Sequence, residues 1–322
     1  MSILIVTNSN DPTADLVQKY LDRTGVEYIR LNTDKFFSNF EHVTYISNDM
    51  LEDITSFQST HFETNFQKIS SIWYRRPVNP DIDPSITSAQ VRQYVQDEGY
   101  YYIRCLWKIL EDKRWVSKPE SISWASVKLH QLRTARSLGL RIPRSLATTV
   151  PEQAIAFFNA CKKKVVVKPF TTTTLDYGEE LVSILTSRVT EDSMANISQV
   201  KKAITFFQEE VPKQFEIRVT VIGQNVFSAA IDSQSDPHRS IDWRSTSPND
   251  AEWYPYEVPS KLAEACKRMV KLYNLNFGTF DFAYTPDNEY VFFELNPNGQ
   301  WAWQEIQLGY KMTESLVNVL ER

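Results

Sequence analysis

Two apolar runs near the C-terminus, FGTFDFAYTP and EYVFFELNP, flank a short Pro–Asp–Asn segment, and each holds a carboxylate among aromatic residues. Adjacent strand-like runs of this kind predict a β-hairpin turning at Pro286 to Asn288. Side chains two apart in a strand share a face, so Glu294 and Asn296 point the same way and Asp281 in the partner strand can meet them. A lone strand glutamate is usually solvated, but among core-seeking aromatics an unpaired carboxylate is costly. Three converging oxygen donors are what a hard cation such as Mg²⁺ takes, with phosphate oxygens and water filling its other positions.

The rest of the chain frames that hairpin. SILIVT (2 to 7), an amphipathic stretch from Asp15 to Arg23, and VEYIRLNTD (26 to 34) predict an opening βαβ unit. Strands are expected at 41 to 47 and around Ile72 to Tyr74, then a helix from Ala89 to Leu110 whose Tyr94, Tyr100, Tyr101, Tyr102 and Trp107 read as a core-facing stripe or as the face of a twin subunit in a homodimer. VSKPES (116 to 121) is a break, because Pro119 stops a helix and Ser121 can start the next. A basic helix from Ser126 to Leu138, a helix after Pro151, the strand KKKVVVKPF and a helical pattern from Glu191 to Ile204 follow. The last third is strand-rich: ITFFQEEV, then FEIRVTVIG and NVFSAAI joined at Gly223 and Gln224, a helix from Pro259 to about Tyr273, and the terminal hairpin. The expected fold is thus α/β at the N-terminus and α+β beyond it, with units at 1–115, 116–206 and 207–322.

Composition excludes several classes. Hydrophobic residues are 42%, charged residues 23%, and the net charge of −5 disfavours non-specific nucleic-acid binding. Cys105, Cys161 and Cys266 form no CxxC pair, so they are expected to be buried, reduced thiols. With no basic segment before its short apolar start and no long apolar run, the chain is expected in the cytoplasm, with no membrane partner. Only 8 glycines occur, with neither GxGxxG nor GxxxxGK[ST], so a bound nucleotide must be held without either phosphate loop.

Other residue types favour such a nucleotide. Lys168 ends a β-branched run and Lys128 sits on the preceding basic helix; each can deliver a point charge to phosphates, although a lysine after a strand is more often simply solvated. Gln208 to Val211 leaves an apolar strand for a proline turn, where backbone groups of Glu209 and Val211 can read an adenine edge. Glu216 and Arg218 share a face of the next strand; a carboxylate suits ribose hydroxyls and a guanidinium suits phosphate, a surface ion pair being the alternative.

In this order the features resemble the ATP-grasp ligase superfamily over about residues 116 to 310. WYRRP at 73 to 77 and DWR at 242 to 244, followed by WYPYEVP, resemble the microviridin-type ATP-grasp peptide maturases, or graspetide synthetases, over essentially the whole chain. That resemblance implies an ATP-grasp fold with an N-terminal pre-ATP-grasp domain, and an ATP-dependent ligase that activates Asp or Glu side chains of a precursor peptide as acyl phosphates and closes ester or amide rings. It implies ATP with two Mg²⁺ ions as cofactors, and a precursor peptide with a leader and an acidic core as partner. Lys128 and Lys168 are implied at the phosphates, Gln208, Glu209 and Val211 at adenine, and Glu216 at ribose. Asp281, Glu294 and Asn296 are implied at the metal. The sequence departs from the superfamily at its glycine-rich flap, which here is TTTTLDYGEE.

For the second step Asp242 is the expected base or acceptor-orienting group, with Arg244 and Arg218 clamping the acyl donor; a salt bridge around a packed Trp243 is the plainer alternative. One of Arg75 and Arg76 is expected in the substrate cleft. Glu191 and Asp192 could pair a basic leader residue, although acidic residues in a first helical turn already complement the helix dipole. The site would equally serve a ligase adding an amino acid to a peptide or protein carboxylate, and a non-catalytic ATP-binding regulator is the remaining class.

Overall fold

The computed structural model describes the chain except residues 1, 49–53, 59–62, 172–173, 177–180, 237–238 and 246–250; side chains of 63–65, 174–176, 181–183 and 244 are likewise left undescribed. The N-terminal unit is built on a parallel sheet in the order Tyr28–Asn32, Ser2–Thr7, Ile69–Tyr74, Arg114–Val116. Ser2–Thr7 is buried almost throughout, as a central parallel strand covered on both faces must be. The helix Pro12–Thr24 begins at Asp11, whose carboxylate accepts from the Thr13 and Ala14 amides, and ends at Gly25 in the left-handed conformation. Three antiparallel strands, Glu41–Tyr45, Ile54–Gln58 and Glu63–Asn65, form a small side sheet.

The helix Ala89–Ile109 forms as expected, but three of its four tyrosines do not face a core. Trp107 is buried, Tyr102 is half-buried, and Tyr94, Tyr100 and Tyr101 are exposed, the last two with Arg104 over their rings. Cys105, on the same helix, is exposed too, whereas Cys161 and Cys266 are buried as expected.

The central unit is an antiparallel sheet in the order Ser187–Arg188, Val165–Lys168, Thr205–Glu209, Ser145–Thr148, backed by the helix Pro151–Ala160. The helical pattern from Glu191 resolves into a short helix, Glu191–Ala195, and a 3₁₀ stretch, Ile197–Lys202. The C-terminal unit is a five-stranded antiparallel sheet in the order Trp253–Pro255, Asn225–Ile231, Phe215–Ile222, Phe277–Tyr284, Tyr290–Asn296. One face holds Ile217, Val219, Val221, Phe280, Phe282 and Leu295 in a core with the helices Lys128–Ser137 and Ser260–Leu272. Gln131 locks the first of these helices to the last strand: its amide donates to the Leu295 carbonyl at 2.8 Å and accepts from the Leu295 amide at 3.0 Å. Among the described residues no helix is long and apolar enough to cross a membrane.

Candidate active site

The other face of the five-stranded sheet is polar because alternation places every second residue there. Register does the rest. Arg218 pairs with Asp281 and Asp281 with Glu294; one step along, Thr220 pairs with Thr279 and Thr279 with Asn296. Two rows of polar side chains therefore cross three neighbouring strands. The Arg218 guanidinium donates to Asp281 at 3.0 Å, to Thr279 Oγ1 at 3.0 Å and to the Gln300 carbonyl at 3.3 Å, and lies 5.5 Å from the Trp243 ring centre. The Asn296 amide donates to Asp281 and to Glu294, each at 3.2 Å. Lys128 reaches Glu294 from the packed helix at 2.8 Å.

A register shift between Asp281 and Phe282 pairs Asp281 with Glu294 but Phe282 with Phe292. The extra residue, Phe293, is thereby released from the alternation and lines the same cleft as Glu294. Lys168 Nζ sits 4.6 Å from the Phe293 ring centre and Lys213 Nζ 5.9 Å from it. A cleft joins these groups to the Gln208–Pro212 segment on one side and to Asp242 and Trp243 on the other.

Asp281, Glu294 and Asn296, expected to hold a metal, are brought together as the hairpin reading requires. Two nearly buried carboxylates and an amide are hard oxygen donors suited to Mg²⁺, and neither histidine nor cysteine stands among them. The amide presents nitrogen to both carboxylates; a half-turn of its terminal torsion would present oxygen instead. Among the described residues no group of three His, Cys, Asp or Glu converges, in keeping with an amide as the third donor.

Glu216 is buried against Lys213 at 2.7 Å, and Lys213 also donates to the Ile241 carbonyl at 3.2 Å. Burial pushes the Glu216 carboxyl above its ordinary value, Lys213 opposes the rise, and the nearby Asp242 charge adds to it. Lys213 escaped the sequence reading; its signal was a cation three residues before Glu216, just after the proline turn.

At the hinge, Gln208 is buried with its amide on Ser145 Oγ, and Glu209 donates its backbone N–H to the Arg144 carbonyl at 2.9 Å. That N–H is thus engaged within the chain, so the expected backbone reading of adenine rests on the Glu209 carbonyl and on Val211, which lines the cleft. Arg144 grips the Glu209 carboxylate with two N–H groups, and Arg188 grips Glu210 in the same way. The first contact is the main reason the Glu209 carboxyl is held below its usual range.

Three expectations change. Arg218 is 5% exposed and its fork is engaged within the chain, so it does not present itself openly to an acyl donor. Arg75 is 1% exposed and donates to the Asn298 and Gly299 carbonyls at 2.7 and 3.0 Å rather than opening on a substrate cleft; Arg76 is exposed. Glu191 pairs with Lys163 at 2.7 Å and sits with the exposed Asp192 in the first turn of a helix capped by Thr190. Trp301 packs with Ile3, Trp73 and Leu316 between units, and the Trp303 ring lies tilted against that of Trp253. Asp242 is nearly buried and lines the cleft as expected, the Arg244 side chain lies outside the described residues, and the Thr-rich flap lies largely outside them.

The comparisons with known proteins agree with this geometry. The sequence profile of the MvdD pre-ATP grasp domain matches residues 2–123. No curated protein matches the chain by sequence. Among solved structures, macrocyclase MdnC bound with precursor peptide MdnA from Microcystis aeruginosa superposes with a TM-score of 0.88 at 27% identity, over 100% of this chain and 99% of that one. A RiPP-associated ATP-grasp ligase from Chryseobacterium gregarium, in complex with ADP and a leader and core peptide, gives 0.91 at 27% identity over 99% and 96%. Macrocyclase MdnB from Microcystis aeruginosa gives 0.82 at 28% identity over 99% and 98%. The chain therefore has an ATP-grasp fold with an N-terminal pre-ATP-grasp domain. Within that class, the match over residues 2–123 and these likenesses support a microviridin-type ATP-grasp enzyme, a graspetide synthetase.

Proposed function

We propose that this chain is an ATP-dependent macrocyclase of a ribosomally made precursor peptide, forming ester or amide crosslinks and releasing ADP in the cytoplasm. The observation that carries the reading is the Arg218–Asp281–Glu294 row: Glu294 meets Lys128, and with Asp281 it borders the cleft that holds Lys168 and runs from the adenine hinge to Asp242. Its likeness to MdnC and to the Chryseobacterium ligase, whose structures hold peptide, supports a peptide substrate with leader and core. In this reading residues 1–115 form the pre-ATP-grasp domain, and 116–206 and 207–322 the two lobes around the nucleotide. The exposed Tyr94, Tyr100 and Tyr101 would serve the contact of a homodimer.

A carboxylate does not expel hydroxide at neutral pH, so the peptide's Asp or Glu attacks the γ-phosphorus of ATP and ADP leaves. The resulting acyl phosphate is attacked by a Thr or Ser hydroxyl or a Lys amine, the new ester or amide forms, and phosphate departs. Asp281, Glu294 and Asn296 would hold two Mg²⁺ ions, which would supply charge neutralisation at the phosphates. Lys128 and Lys168 add fixed positive charge, Gln208, Glu209 and Val211 hold adenine, and Glu216 accepts from the ribose. Asp242 takes the proton of the attacking group. Arg218, kept on Asp281, acts on the acyl donor through its positive charge, and Arg244 joins it. Arg76 attracts the acidic core, and a basic leader residue would have to displace Lys163 to pair with Glu191 beside Asp192.

Incubation with Mg-ATP and a precursor peptide, followed by mass measurement, tests the reading. Loss of one water per crosslink with matching ADP is expected. A gained residue would assign ligation instead, and no mass change with no ADP would assign a binding module.

A further inference from the structure

Arg75 stands at the end of the strand Ile69–Tyr74 in the N-terminal unit, yet its guanidinium ends in the C-terminal unit. Four groups surround it. Nη1 donates to the Asn298 and Gly299 carbonyls, Nη2 donates to Thr13 Oγ1 at 3.3 Å, and Nε lies 3.3 Å from Asp11 Oδ2. Asp11 is itself fixed, since it caps the helix Pro12–Thr24 and accepts from Thr7 Oγ1 at 2.7 Å. The N-terminal unit therefore holds the guanidinium from behind while its fork grips the loop after the metal strand.

The other side of that loop is gripped by Arg218. Its Nη2 donates to the Gln300 carbonyl, one residue on from the carbonyls that Arg75 holds, while its Nη1 donates to Asp281. The approach is close: a Cβ on Gly299 would overlap Thr279 Oγ1 and lie 2.8 Å from Arg218 Nη2. Where the loop sits thus decides where the Arg218 fork sits, and the fork decides how Asp281 is oriented. Two arginines that the sequence reading assigned to substrate are instead linked through three consecutive residues of backbone.

We propose that Arg75 is a positioning residue for the metal centre: acting through the Asn298–Gly299–Gln300 backbone on Arg218, it makes the orientation of Asp281 depend on docking of the N-terminal unit. The inference rests on the reading of Asp281, Glu294 and Asn296 as metal ligands, and it extends that reading to a residue that touches neither metal nor peptide. Outlying partners of metal ligands commonly change metal affinity without changing the ligand set.

The experiment compares Arg75→Lys with the full wild-type chain. A lysine keeps the charge near Asp11 but loses the fork that spans two carbonyls. Metal is read without turnover, by electron paramagnetic resonance titration of Mn²⁺ in the presence of ADP, beside thermal melts and the Mg²⁺ dependence of ADP release. The expected result is Mn²⁺ binding weaker by about tenfold, a similar rise in half-saturating Mg²⁺, and unchanged affinity for metal-free ADP, whose hinge lies in another sheet. Thr13→Val, which removes only the Nη2 contact, should move both metal readouts in the same direction by less, and keeps the test decisive where Arg75→Lys folds poorly. Unchanged Mn²⁺ binding in a folded variant would overturn the proposal, as would loss of metal-free ADP affinity in step with Mn²⁺. Should the wild type bind Mn²⁺ with ADP yet modify no peptide, the macrocyclase reading fails while the titration still decides the role of Arg75.

Discussion

Lys128 and Glu294 stand 166 residues apart in the chain and meet at 2.8 Å, joining the start of a helix to the last strand of the C-terminal sheet. Gln131, one turn on, fixes that helix to Leu295 by two hydrogen bonds, so the ammonium is aimed rather than free to wander. Lys128→Met should therefore remove a preorganised charge while keeping the helix seated. ADP release with precursor peptide is expected to fall by about 100-fold or more, the scale for losing one fixed donor at a developing negative charge. Steady-state assay of ADP at saturating ATP reads this, and a loss confined to KM would contradict it.

Asp281→Asn tests the metal row itself. Arg218 is 5% exposed, and the substitution leaves its guanidinium without its carboxylate partner. Breaking a buried pair from one side costs about 3–5 kcal/mol, so the metal-free variant should melt well below wild type. Mg²⁺ with ADP is expected to raise the wild-type melting temperature, and to raise that of the variant far less. Equal shifts in both proteins would take Asp281 out of the metal site.

Glu216 gives a pH signature with a definite sign. Burial raises its carboxyl in the folded protein, so between the ordinary carboxylate pKa and the raised value the native state binds more protons than the unfolded chain. Its contribution to stability is then complete below the ordinary carboxylate pKa and is lost as pH rises through the raised value. The wild type minus Glu216→Gln difference in melting temperature should accordingly shrink from pH 4 upward. A difference that grows with pH would mean that the attraction of Lys213 outweighs burial.

The hairpin was legible because its alternation and its turn are local, and both survive in Phe277–Tyr284 and Tyr290–Asn296. So were the pairings that follow from counting by two, such as Glu294 with Asn296 and Glu216 with Arg218. The bulge at Phe293 was not, since a one-residue register shift is decided between strands and leaves no mark on either one. The anchoring of Arg75 was hidden for a related reason: WYRRP fixes the end of a strand but says nothing of a loop 223 residues later. The exposed tyrosines of Ala89–Ile109 show the limit of composition, because aromatic content states only that a ring can be buried.

Two ion pairs flank the nucleotide cleft and should behave differently when broken. Arg144 is 53% and Glu209 31% exposed at the side chain, whereas Lys213 and Glu216 are 7% and 6%. Solvent already screens the first pair, so Arg144→Ala is expected to change stability little. Lys213→Met instead strands a buried carboxylate that burial already pushes toward its neutral form, and it frees the Ile241 carbonyl next to Asp242. A neutral Glu216 accepts from a ribose less well than a carboxylate does. Nucleotide affinity, measured by calorimetry with ADP, should then fall by about tenfold in Lys213→Met and stay within about twofold in Arg144→Ala, as expected when a charge-assisted hydrogen bond is weakened at one site and not at the other. Similar affinities in the two variants would show that the Lys213–Glu216 pair has no part in holding the nucleotide.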